Sequence, residues 1–140
     1  MNKLPTPSSI SARLILAALV ATGLSIGGVA SAHTESFPTS LSLSTSERTV
    51  PPGTLVTFSG TLDSPESACR ASSQIDLMQT DDGFQVKTMT KKNGSYSVTR
   101  LIKESGTFQA VFGGKVLNGV HPHSHTCEAS ASNTVTVTVI

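Results

Sequence analysis

An all-β sandwich of about seven antiparallel strands is the fold class the sequence predicts. Three observations carry it. Along much of residues 40–140 apolar residues alternate with Ser and Thr, the period of two that a half-buried strand requires. Turn signals such as Pro51-Pro52-Gly53 and Asp81-Asp82-Gly83 recur between those runs. The helical period is nowhere sustained.

The elements follow in order. Leu41 and Leu43, set among Ser40, Ser42 and Ser44, give the first strand. In the second, Val56, Phe58, Gly60 and Leu62 form one face and Thr57, Ser59 and Thr61 the other. Residues 63–72 read as loop. Ile75 and Leu77 mark a third strand, and Phe84, Val86, Thr88 and Thr90 one side of a fourth. Lys91-Lys92-Asn93-Gly94 predicts a hairpin with a type I′ turn, because Asn-Gly tolerates positive φ. Tyr96 and Val98 open a fifth strand that runs to about Ile102, and Phe108, Ala110 and Phe112 alternate along a sixth. Residues 113–132 read as a long irregular segment. Val135, Val137 and Val139 alternate with Thr134, Thr136 and Thr138 in the last strand.

The chain has 140 residues, a formal charge of +1, 14% charged residues, 4% aromatics and no Trp. With neither sign in excess, nucleic acid is not an expected partner. Lys3 and Arg13 precede an uncharged apolar run over residues 14–29, and Ala30-Ser31-Ala32 follows as a small-x-small motif. That order predicts a secretory signal peptide over residues 1–32, cleaved after Ala32. The expected mature chain, residues 33–140, is one domain with no membrane span. It keeps eight of the ten bases and all nine acids, a charge of −1, and 32 of its 108 residues are Ser or Thr. Hydroxyl-rich strands with few charges fit an extracellular β-protein better than a cytosolic enzyme, and the expectation is a monomer that is secreted or held in a periplasmic or cell-wall space.

Chemistry-bearing patterns are few. No G-x-S-x-G, H-E-x-x-H, P-loop or dinucleotide fingerprint occurs, and Asp81-Asp82-Gly83 is turn grammar, so the chain is expected not to be an enzyme. Lys87, Lys91 and Lys92 read as a solvated basic turn. Phe37 falls outside the alternation, as a strand anchor or an exposed contact. With strands lettered A, B, C, C′, E, F and G in chain order, Cys69 lies in the B–C loop and Cys127 in the F–G segment. These loops share one end of an immunoglobulin-like sandwich. A disulfide between them is the expectation for an exported chain, over a redox pair or thiolate metal ligands.

All four histidines fall in two places, His33 and the run His121-Pro122-His123-Ser124-His125. A first strand starting opposite the A–B turn puts His33 at the end that carries the B–C and F–G loops. His33, His121, His123 and His125 are therefore a candidate Cu(II) or Zn(II) ligand set, since imidazoles suit both ions and an N-terminal His adds its amine.

Two resemblances bear on function. The runs VPPGTLVTFSGTL, NGSYSV, ESGTFQAVFGG and SNTVTVTV resemble secreted bacterial immunoglobulin-like or fibronectin-III-like domains over roughly residues 40–140. That resemblance implies an immunoglobulin-like β-sandwich acting in binding or adhesion, with an unknown protein or cell-surface partner met through the B–C and F–G loops. In such domains a G-x-Y-x-A run often marks the penultimate strand, and Phe108 stands where the Tyr would be. His33 and the loop histidines resemble, more distantly, CopC-type periplasmic copper carriers, which implies copper binding. The acidic ligand that family places before its loop histidine is absent here.

Overall fold

Residues whose side chains alternate between core and solvent build most of the fold, and the computed structural model describes residues 34–118 and 124–140. The expected signal peptide, together with His33, His121 and His123, lies outside them. Among the described residues the chain forms β1 (Thr34–Phe37), β2 (Ser40–Leu41), β3 (Ser44–Thr45), β4 (Thr49–Val50), β5 (Thr54–Asp63), α1 (Ser67–Arg70) and β6 (Gln74–Gln79). There follow β7 (Gln85–Met89), β8 (Ser95–Ile102), β9 (Gly106–Phe112), β10 (Lys115–Leu117), β11 (Ser124–Cys127) and β12 (Ser130–Val139).

The strands make a sandwich. One sheet runs in the order β4-β12-β9-β6-β7. In the facing sheet, β2 and β3 pair with one side of β5, and β8 pairs with the other over eight residues. A smaller sheet, β10-β11-β1, adjoins them. Val56, Phe58, Leu62, Ile75, Leu77, Phe108, Ala110, Phe112, Val135 and Val137 are buried, as their alternation predicts. The Phe58 and Phe108 rings meet across the sheets with centroids 4.6 Å apart. Phe37 is an anchor, packed against this core.

Four expectations need correcting. The strands are not all antiparallel: β1 pairs with β11 and β4 with β12 in parallel. Both contacts join short pieces to strands far along the chain, so no turn dictates direction. The described part of residues 113–132 forms β10, β11 and the start of β12, the first two being short strands without the alternation that betrays a half-buried strand. The 63–72 loop contains α1, a single turn that no helical period can announce.

The Asn-Gly turn is also different. Gly94 has φ +90° while Asn93 and Lys92 stay at negative φ, so the turn is not type I′. Gly94 N donates to Lys91 O at 2.9 Å and Lys91 N to Ser95 O at 2.8 Å, the signature of a three-residue loop ending in a left-handed glycine. The flanking strands then part company, β7 joining the first sheet and β8 the second. The turn links sheets.

Polar side chains stitch the sandwich where strands break. Tyr96 Oη donates to Ser42 O at 2.5 Å, and Ser42 Oγ accepts from Thr61 N at 3.0 Å in place of that carbonyl. On β12, Ser132 and Asn133 together face Ala110, a bulge. Ser132 Oγ takes up the Ala110 N–H there at 2.9 Å.

Candidate functional site at the disulfide end

Glu66 starts α1: its carboxylate accepts from Ala68 N at 3.2 Å, capping an orphan N–H of the first turn. The turn holds Cys69 in the interior, where it bonds Cys127 at the end of β11. Their Cα atoms are 5.6 Å apart and 58 residues separate them in sequence. The expected disulfide is therefore present and joins the two expected segments. Both sulfurs are in the bond and buried, which leaves no thiolate for redox or metal chemistry.

A web of hydrogen bonds fixes the same loop. Arg70 Nη1 donates to Ser64 O at 2.6 Å. Thr90 Oγ1 donates to Arg70 O at 2.6 Å and accepts from Ser73 N at 2.8 Å. Buried Ser73 donates to Cys69 O at 2.7 Å. Lys115, from β10, reaches in with Nζ and donates to Ala68 O at 2.9 Å and to Ala71 O at 2.8 Å. Its ammonium satisfies carbonyls that a one-turn helix leaves bare. Nothing in the spacing of Lys115 signals this, since its partners lie more than forty residues away.

On the neighbouring β1–β11 ladder, Thr34 pairs with Ser124, Glu35 with His125, Ser36 with Thr126 and Phe37 with Cys127. Ser36 and Thr126 share a hydrogen bond of 3.1 Å. His125 stands edge-on to Phe37, ring centroids 5.6 Å apart, with its Nε2 3.7 Å from Glu35 Oε1. Of the four histidines expected to gather, His125 alone is among the described residues, and there its acidic neighbour is Glu35. Among the described residues no three His, Cys, Asp or Glu side chains come together as a metal site.

The opposite end holds a residue that the strand reading passed over. Tyr96, Val98 and Ile102 point inward along β8, and the same alternation turns Arg100 inward. Its guanidinium lies 3.3 Å from the Phe84 ring centroid and 5.7 Å from that of Phe108. Burial lowers its pKa, and Asp82 acts in the opposite sense. Asp82 itself closes the β6–β7 turn, its Oδ1 accepting from Phe84 N at 2.8 Å, as turn grammar predicts. No family model, characterised protein or solved structure matches this chain.

Proposed function

We propose that the protein is a secreted, non-catalytic immunoglobulin-like domain that binds a protein or cell-surface partner through its disulfide end. The observation that carries this reading is the double clamp of Cys69–Cys127 and Lys115, which fixes the α1 loop to β10 and to the end of β11. Loops ordered before contact lose less entropy on binding, and loops on a rigid sandwich are where such domains carry function. Supporting the immunoglobulin-like assignment, the first strand is split between sheets and the two cysteine segments emerge together. A disulfide fits an oxidising compartment. The test is binding of labelled protein to intact cells of the producing organism. Saturable binding that falls about tenfold or more in Ala68→Arg/Val116→Glu, and not in Thr49→Arg, is the expected result. Equal binding by all three overturns the reading.

A second reading, a copper or zinc carrier using His33, His121, His123 and His125, draws on the β1–β11 register. Thr34 and Ser124 are partners there, and in the sequence His33 immediately precedes the one and His123 the other. Cu(II) titration of the chain beginning at His33 tests it. Affinity well above that of a free His-Pro-His-Ser-His peptide, and weakened by His33→Ala, supports the carrier; affinity equal to the peptide's sinks it.

A further inference from the structure

At the end away from the disulfide, Gln79, Asp82, Arg100, Lys103 and Glu104 line a cavity of about 240 Å³. Strand directions put it there: β6 leaves the α1 loop and ends at Gln79, and β8 runs from the Gly94 turn to Ile102.

Two features of this cavity are unusual for a sandwich edge. The first is Arg100. Its Nη1 is enclosed by protein and has no hydrogen-bond partner. Phe84 covers the guanidinium face, so the group is held in place rather than free to swing into water. A buried donor without an acceptor is costly. The second is charge. Arg100 and Lys103 are basic and Asp82 and Glu104 acidic, yet none of the four is ion-paired among the described residues. Asp82, Lys103 and Glu104 are exposed, and with Arg100 they bring both signs to the border of one small space.

We infer that this cavity binds a small zwitterion of amino-acid or dipeptide size, its carboxylate held by Arg100 and Lys103 and its ammonium by Asp82 and Glu104. A guanidinium is planar and presents a fork of donors that matches a carboxylate, which a lysine does not. A space of this volume accommodates a ligand of dipeptide size. An inward charge at the open edge between β7 and β8 also deters edge-to-edge pairing. That protective role needs only a charge, whereas ligand binding needs the fork, so the two separate by substitution.

The experiment is a titration of ¹⁵N-labelled protein with glycylglycine, with acetate and with ethylammonium. Saturable shifts should map to the β6–β7 turn and residues 100–104, with glycylglycine binding at least about tenfold more tightly than either single-charge probe. Arg100→Lys, which keeps the charge, should weaken glycylglycine binding about tenfold or more, as should Asp82→Asn/Glu104→Gln, which leaves the core untouched. Acetate binding as well as glycylglycine, shifts that never saturate, or undiminished binding by Arg100→Lys each overturn the assignment.

Discussion

The side-chain amide of Asn133 bonds both backbone groups of Leu43. Its Oδ1 accepts from Leu43 N at 3.1 Å and its Nδ2 donates to Leu43 O at 2.9 Å. Asn133 sits in the β12 bulge, and Leu43 lies between β2 and β3, so one side chain ties the two main sheets together. An amide can do this because it carries the same donor and acceptor pair as a peptide group. Asn133→Ala leaves both groups of a buried residue without partners, and unfolding free energy should fall by about 2 kcal/mol in urea titration. Asn133→Asp keeps the acceptor alone and should be destabilising as well.

Gly94 and Gly83 form a matched pair for a backbone test. Both adopt left-handed φ, +90° and +75°. A Cβ on Gly83 meets nothing within 4 Å, whereas one on Gly94 collides with Leu62 O. Gly83→Ala should therefore cost only the conformational strain, about 1–2 kcal/mol. Gly94→Ala should cost clearly more, because Leu62 N also bonds Gly94 O at 2.8 Å and that contact cannot loosen freely. Equal melting temperatures for the two variants would contradict the collision.

Tyr96 predicts an alkaline dependence. Burial pushes its phenol pKa upward, the residue being 3% exposed, and its hydroxyl donates to Ser42 O. The folded protein thus keeps the proton where the unfolded chain gives it up at about pH 10. The resulting stability is fully present well below that pH and drains away as the pH rises through and above it. Between pH 9 and 11 the wild type should lose more stability than Tyr96→Phe, measured by chemical denaturation at each pH. Parallel curves would refute the linkage.

The disulfide closes a loop of 58 residues, worth roughly 4 kcal/mol in the chain-entropy account. Cys69→Ala/Cys127→Ala should lower the unfolding free energy by about that much. Because Lys115 holds the α1 loop independently, amide exchange should accelerate first in β11 and later in residues 67–73. Uniform acceleration would show that the disulfide alone orders the site.

Long strands with one buried face were legible. Val56, Phe58 and Leu62, or Val135 and Val137, alternate because solvent and core alternate, and the structure places them so. The loops that bring Cys69 and Cys127 together were legible from topology. The small sheet was not, since Lys115–Leu117 and Ser124–Cys127 are short and bury little. Nor was the fate of the Asn93-Gly94 turn, whose local hydrogen bonds do not say that β7 and β8 diverge. Lys115 escaped because its value lies in distant carbonyls. Arg100 was within reach, for the alternation of Tyr96, Val98 and Ile102 points it inward.

The parallel pairing of β4 with β12 has a mechanical consequence. Thr34 begins beside the disulfide loops, while Val139 bonds Ser105 at the other pole. Tension applied between the two ends therefore pulls lengthwise, and the bonds of Thr138 and Ile140 to Arg48 and Val50 resist in shear rather than opening one by one. Behind them the disulfide withholds 58 residues, roughly 200 Å of contour, from any extension. Whatever force parts β4 from β12, the residues between the two cysteines stay out of the extension.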